Sequence, residues 1–115
     1  MRKNKLNEKD KLLLAQYGLS SLGLSYAERR VYTQDEFLSR AGEPIDAIYF
    51  VVSGKAKVFI NLSSGKQLLL AYFTSRGLIG DIELMTDRPV NYTTVRAVTD
   101  FICIALPLSI YAGEL

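Results

Sequence analysis

The sequence predicts a mainly β, antiparallel sandwich or barrel with a helical segment in front of it. Gly42, Gly54, Gly65 and Gly77 follow one another at spacings of 12, 11 and 12 residues. Between them lie runs rich in β-branched and aromatic residues, which is typical of short strands joined by turns. The chain has 115 residues, so it is long enough for one domain with one core.

The helical segment is predicted from residues that begin and end a helix. Asn7 is a good N-cap residue, Asp10 can complete a capping box, and Gly18 suits the position after the helix. The apolar residues at helical spacing are Leu6, Leu13, Leu14 and Tyr17. Residues 1–11 carry a net charge of +3, which we interpret as a solvated helix start. An irregular stretch is expected over residues 20–25.

The strand region begins near Ala27. The individual strands are predicted at Ile48–Val52, Lys55–Leu62, Gln67–Phe73, Thr93–Val98 and Phe101–Leu106. Residues 63–66, Ser-Ser-Gly-Lys, are expected to form a hairpin loop. The last strand is apolar throughout, so we expect it to be buried on both faces.

These patterns divide the chain into three parts. Residues 1–24 are the helical segment, residues 25–106 the β domain, and residues 107–115 the start of a further helix. Pro107 suits a helix start, and the sequence then stops at Leu115 in mid-pattern without a capping residue. We therefore expect the chain to be a piece of a longer protein.

The composition argues against several classes of function. Histidine is absent and Cys103 is the one cysteine, which excludes a Ser-His-Asp hydrolase, a His- or thiolate-ligated zinc site and a four-cysteine iron–sulfur cluster. We expect Cys103 to be a buried, unreactive thiol. Asp81 and Glu83 diverge at a helix start and make a poor acid–base pair, so no enzyme is predicted. No bilayer-spanning run or signal peptide is present, and a cytoplasmic location is expected.

The segment of residues 76–97 contains the candidate binding turn. Gly77-Leu78-Ile79-Gly80 leads into Asp81-Ile82-Glu83-Leu84-Met85, a helix-compatible turn with acidic residues early. A glycine followed by a helix N-terminus offers unpaired N–H groups to an anion. Many such turns merely cap a helix, so the pattern alone leaves both interpretations open.

Several stretches together resemble the cyclic nucleotide-binding domain of the Crp/Fnr transcription regulators. They are Arg40–Pro44, Ile48–Val58, Gly65–Tyr72, Ile79–Met85, and Arg88-Pro89 followed by Thr94–Ala97. The resemblance covers roughly residues 25–115. It implies an antiparallel β-roll of the jelly-roll type, flanked by short helices, whose interior binds a small effector. It also implies a long dimerisation helix and a helix-turn-helix DNA-binding domain beyond Leu115.

The residues that hold the nucleotide in the family are only partly matched. The family's Gly-Glu, which cradles the phosphate and binds the ribose, corresponds to Gly80 and Asp81. Its Arg-Ser/Thr-Ala corresponds to Asn91-Tyr92-Thr93 when counted back from Thr94, or starts at Val90 when counted forward from Arg88-Pro89. Neither register supplies an arginine for the phosphate. Losing such a charge-assisted contact lowers affinity by about ten- to a hundredfold.

We therefore expect an effector-sensing domain of a bacterial Crp/Fnr-like DNA-binding regulator with a degenerate cyclic-nucleotide pocket. Its candidate effector-binding residues are Gly80, Asp81, Ile82, Glu83, Leu84, Asn91, Tyr92, Thr93, Val58, Leu70 and Phe73. The resemblance implies that Leu70 and Phe73 point inward opposite Val58, where they either line an apolar effector pocket or simply fill the core. No cofactor, metal or membrane is expected. The effector is an unidentified small molecule, DNA is bound through a missing C-terminal domain, and the full-length protein is a homodimer. The alternatives are a genuine cyclic AMP- or cyclic GMP-binding module and a ligand-free interaction scaffold.

Overall fold

The computed structural model describes residues 1–19, 21–44, 46–74, 78–79 and 93–110 of the chain. The helices in these ranges are α1 (Glu8–Gln16) and α2 (Ser21–Tyr26). The strands are β1 (Arg2–Asn4), β2 (Glu28–Tyr32), β3 (Phe37–Ser39), β4 (Ala47–Ser53), β5 (Lys55–Asn61), β6 (Gln67–Thr74), β7 (Leu78–Ile79), β8 (Thr94–Ala97) and β9 (Phe101–Pro107). Residues 108–110 are helical again. Within these ranges, every helix is too short or too polar to cross a bilayer.

The strands form two antiparallel sheets. One has the order β1-β2-β9-β4-β7 and the other the order β3-β8-β5-β6. Strands that follow each other in the chain occupy matching places in the two sheets, namely β2 with β3, β9 with β8, β4 with β5, and β7 with β6. This arrangement is an antiparallel β-roll and confirms the predicted mainly β fold. The five strands given bounds from the sequence are each found to within one residue at either end.

The space between the sheets is filled by alternate residues of the strands, as the period of two in a β-strand requires. The buried cluster contains Tyr32, Leu38, Ala47, Tyr49, Val51, Ala56, Val58, Val95, Ala97, Phe101, Cys103 and Ala105. Cys103 is fully buried, as predicted, and burial raises the pKa of its thiol to about 12.

A second apolar layer covers the other face of the five-stranded sheet. Leu14 of α1 packs there with Ile48, Phe50, Ile104 and Leu106. The strands β4 and β9 are therefore buried on both faces, which confirms the prediction for the apolar run from residue 101 to 106. Leu108 and Ile110 pack against the same layer, so the helical turn after β9 is attached to it.

Helix α1 begins and ends as its sequence predicts. The Asn7 side chain accepts a hydrogen bond from the Asp10 amide at 2.8 Å, and the Asp10 carboxylate accepts one from the Asn7 amide at 3.1 Å. Gly18 has a φ of +77° just beyond the helix, the left-handed conformation that favours glycine. Asp10 is almost fully buried, and Arg29 of β2 donates to it at 2.6 Å. This ion pair attaches α1 to the sheet.

Two predictions about the N-terminal segment are wrong. Residues 21–26 form the helix α2 instead of an irregular stretch, because Leu24 packs against the apolar layer beside Leu14. Arg2 and Lys3 belong to the strand β1 instead of a helix start, since residues 2–4 pair with β2. Both elements depend on partners that are distant in the sequence.

Candidate functional site

Most of the candidate effector-binding residues lie outside the described part of the chain. They are Gly80, Asp81, Ile82, Glu83, Leu84, Asn91 and Tyr92. The structure describes Val58, Leu70, Thr93 and the backbone of Phe73. It also describes the strands that precede and follow the candidate segment 80–92, and these strands locate its two ends.

The candidate segment begins at one sheet and ends at the other. Ile79 lies opposite Tyr49 in the pairing of β7 with β4, directly before residue 80. Thr94 begins β8, lies opposite Phe59 of β5 and is buried. Since β7 is the edge strand of its sheet and β6 occupies the matching edge of the other, the segment starts at the open β6/β7 end of the roll.

Val58 points into the roll, as predicted. Its side chain is buried, and it lies opposite Ala71 on β6 and Val95 on β8. The sequence placed Leu70 and Phe73 on the same inner side. For Phe73 the structure gives the backbone pairing with Ala56, and its side chain lies outside the description.

Leu70 is not buried in the core. The register of β5 and β6 shifts between Val58 and Phe59, which pair with Ala71 and Leu69. Leu70 falls at this β-bulge without a cross-strand partner and is 50% exposed. Its exposure excludes the alternative in which Leu70 simply fills the core. Its role in effector binding stays a prediction.

The open end of the roll presents an apolar surface. Along β6 and the preceding hairpin, the exposed large apolar side chains are Leu62, Leu68, Leu69, Leu70 and Tyr72. The hairpin itself forms as predicted, because the Leu62 amide donates to the Lys66 carbonyl at 2.7 Å and Gly65 takes a φ of +86°. An exposed apolar edge strand beside the start of the candidate segment is a surface on which a small apolar effector can pack.

A buried arginine inside the roll was missed by the sequence reasoning. Arg30 of β2 is 9% exposed, and its Nη2 lies 2.8 Å from the Glu28 carboxylate. Its Nη1 donates to the Tyr49 hydroxyl at 3.4 Å, and the guanidinium carbon lies 5.7 Å from the centre of the Tyr49 ring. The alternation Glu28-Arg30-Tyr32 places Arg30 on the same side of β2 as Tyr32. The pairing of β2 with β9 turns this side towards the interior of the roll.

The environment of Arg30 keeps it charged and its tyrosine neighbours neutral. Burial by itself lowers the pKa of the guanidinium, but hydrogen bonds to Tyr32 and Glu28 outweigh burial and raise that pKa. Burial also raises the pKa of Tyr32 to about 12 and that of Tyr49 above its ordinary value. Arg30 is thus a buried cation already paired with a carboxylate, and no free cation is left here for a ligand.

Titratable side chains in the described ranges do not gather into a metal site: no group of three or more Asp, Glu or Cys residues is placed to hold an ion. The interior is also fully paired there, since every buried side-chain nitrogen or oxygen has a hydrogen-bond partner. Within the described ranges, the site is therefore the apolar β6/β7 end of the roll.

The sequence profile described as "Cyclic nucleotide-binding domain" matches residues 29–112. The chain belongs to this family. The match spans the whole β-roll from β2 to β9, including the candidate segment between β7 and β8, and it confirms the resemblance found in the sequence.

Similar proteins include bacterial regulators. The regulatory protein YeiL of Escherichia coli O157:H7 is 26% identical over 76 residues, which are 66% of this chain and 34% of that protein. The chain thus spans about a third of the curated relatives it matches. The catabolite activator protein of Thermus thermophilus is 30% identical in structure comparison, with a TM-score of 0.72 over 85% of this chain and 47% of that one.

A separately solved sensor domain has the same fold. The sensor domain of the transcriptional regulator DNR from Pseudomonas aeruginosa superposes with a TM-score of 0.81, covering 90% of this chain and 75% of that chain, at 20% identity. At this identity the likeness shows the fold of the roll, and the binding residues have to be judged from this chain's own sequence.

Proposed function

We propose that this chain is the effector-sensing domain of a Crp/Fnr-like transcription regulator whose pocket does not bind cyclic AMP or cyclic GMP tightly. The single observation that carries the proposal is the missing arginine: the position where the family has it falls on Asn91 in one register and on Val90 in the other. The family assignment and the names of the related regulators support the rest.

The loss of the arginine matters because a cyclic phosphate carries a full negative charge. A guanidinium binds the phosphate through charge-assisted hydrogen bonds, whereas the Asn91 amide offers neutral ones. The binding free energy lost with the guanidinium is about 1.5–3 kcal/mol. Tyr92 also places a ring where the family has a small side chain. The buried Arg30 does not compensate, since it is paired with Glu28.

The sensing mechanism follows from where the candidate segment is attached. An effector on the apolar surface of β6 contacts the end of the roll from which residues 80–92 begin, and that segment returns to the buried Thr94. Movement of this segment changes the packing around β9 and the helical turn after it, where Leu108 and Ile110 lie on the second apolar layer. The effector thereby shifts the population of a DNA-binding homodimer.

Calorimetric titration of the 115-residue chain with cyclic AMP and with cyclic GMP tests the pocket. We expect no saturable binding at micromolar nucleotide. A dissociation constant in the micromolar range for either nucleotide would overturn the degenerate pocket and favour a genuine cyclic nucleotide module.

A gain-of-function variant tests the physical reason. Asn91→Arg combined with Tyr92→Ser is expected to strengthen cyclic AMP binding by about ten- to a hundredfold. The matched control is Asn91→Gln with Tyr92→Ser, which lengthens the side chain without adding charge and should gain little. Equal gains in the two variants would show that the missing charge is not what weakens binding.

The regulator assignment is tested by the reading frame that follows codon 115 in the gene. We expect a long helix and a helix-turn-helix domain, which would provide the dimer contact and the DNA contact. A different downstream domain would overturn the DNA-binding function while leaving the effector site untouched. If the intact protein is a scaffold without ligand, native mass spectrometry after purification from its host will find no bound small molecule.

A further inference from the structure

The outer face of the four-stranded sheet, turned away from the roll interior, holds a cavity of about 320 Å³. On β5, Ala56 and Val58 point into the core, so Phe59 and Asn61 face outward by the alternation of the strand. Phe59 is nevertheless almost fully buried. Phe59 lines the cavity, and the Lys57 ammonium lies 5.2 Å from the centre of its ring.

Two guanidinium groups flank one ring at the mouth of this cavity. The guanidinium carbon of Arg40 lies 4.0 Å from the centre of the Phe37 ring, and that of Arg96 lies 5.2 Å from the same centre. The two cations are thus no farther apart than the sum of these distances. A guanidinium stacked on a ring keeps its N–H edges available, because the ring occupies only its face.

The two lining arginines differ in how they are paired. Arg96 Nη2 lies 3.7 Å from the Asp35 carboxylate, and its Nε donates to the Asp35 carbonyl at 3.0 Å. No carboxylate of the described residues lies within ion-pair distance of the Arg40 guanidinium. Glu43 contributes a carboxylate to the lining. Arg96 is therefore already paired with Asp35, and Arg40 is the lining arginine without an ion-pair partner among the described residues.

The remaining lining defines what else a ligand would meet. Asn61 and Gln67 bring amide groups to the cavity, opposite each other on β5 and β6. The Phe59 ring lies between them and the arginines. The volume is near the lower end of small-molecule sites, which run from about 300 to 1,000 Å³.

We propose that this outer cavity binds a small organic anion. Its carboxylate or phosphate group is held by Arg40 and Arg96, its body lies on the Phe59 ring, and a polar end meets the amides of Asn61 and Gln67. None of the residues that line this cavity belongs to the candidate segment 80–92, although Thr94 follows that segment closely. The proposal of an anion site is based on the geometry of the outer face and is independent of the function proposed for residues 80–92.

Sodium benzoate and inorganic phosphate are the probes that test the site, each titrated into the 115-residue chain at constant ionic strength and followed by backbone amide NMR. We expect saturable shifts at residues lining the cavity. Arg40→Met should weaken binding by about ten- to a hundredfold, and Arg96→Lys, which keeps the charge but loses the planar fork, by about tenfold. The probe that binds with the lower dissociation constant shows whether the cavity prefers a carboxylate or a phosphate.

Lys55→Met is the matched control. Lys55 lies on β5, the strand of the lining residues Phe59 and Asn61, but its ammonium stacks on Tyr72 outside the cavity lining. It should leave the affinity unchanged. Arg40 is exposed, so its replacement is expected to leave the fold intact, which circular dichroism verifies. Shifts that never saturate, equal weakening by the Arg40 and Lys55 variants, or binding unchanged by Arg40→Met would each overturn the proposal.

Discussion

Replacing Gly54 by alanine is expected to be among the more damaging single-methyl changes in this roll. Gly54 joins β4 to β5 with a φ of +97°, a backbone conformation that side chains rarely adopt. An added Cβ would lie 2.8 Å from the Phe101 Cα and closer still to the carbonyl oxygen of Asp100. These are backbone atoms of the adjacent corner, where Lys55 and Thr99 exchange hydrogen bonds at 3.0 and 3.3 Å.

The loss of unfolding free energy caused by Gly54→Ala can be worked out by comparison with a second glycine. Gly65 in the β5–β6 hairpin has a φ of +86°, but a Cβ there meets nothing within 4 Å. Gly65→Ala should therefore lower the free energy of unfolding by the backbone term alone, about 1–2 kcal/mol. Gly54→Ala carries the same term plus about 1–3 kcal/mol for displacing a packed corner.

Urea unfolding and thermal unfolding, both followed by circular dichroism, measure the two variants. We expect the Gly54 variant to be less stable than the Gly65 variant by about 1–3 kcal/mol. Its Tm should be lower by roughly 4 °C for each kcal/mol of that difference. Identical unfolding free energies for the two variants would refute the argument, since backbone conformation alone would then account for both.

Three further predictions concern charge and burial. Arg29→Met should lower the unfolding free energy by about 3 kcal/mol because it leaves the buried Asp10 carboxylate unpaired, whereas Lys11→Met, which removes an exposed ion pair, should cost less than about 0.5 kcal/mol in urea unfolding. The amino terminus and Thr33 hold the pKa of Glu36 at about 2, below its ordinary 4.5, so its contribution is present above pH 4.5 and lost as the pH falls towards 2; Glu36→Gln should flatten acid unfolding curves in that window. Cys103 should resist a thiol-specific reagent at pH 8 until the protein is unfolded, because burial raises its thiol pKa to about 12; rapid labelling of the native chain would contradict its burial.

The features that the sequence predicted well are those specified by neighbouring residues. The capping box of Asn7 and Asp10 needs partners three residues apart, and both hydrogen bonds are present. Five of the nine described strands were given bounds from alternation and from glycines at the turns, and these bounds agree to within one residue. The family resemblance depended on the same short stretches and was confirmed across residues 29–112.

The features that the sequence did not predict depend on contacts between distant residues. Helix α2 has the weak helix-forming sequence Ser-Leu-Gly-Leu-Ser-Tyr, and packing of Leu24 on the sheet overrides that preference. Leu70 is exposed because β6 is an edge strand of its sheet, and that position depends on the order of all four strands. The sequence thus named the residues of the candidate site. The exposure of β6 beside it became visible in the tertiary structure.

The amino acids by themselves determined the class of fold, the positions of most strands, and the absence of an arginine at Asn91-Tyr92, because each of these is encoded within a few consecutive residues. Tertiary structure alone decided that Arg30 is buried and paired inside the roll, and that Arg40 and Arg96 flank the Phe37 ring over an outer cavity. The physical reason is that a cation's environment depends on which distant strands its own strand pairs with, and that pairing is settled when the two sheets close on a shared core.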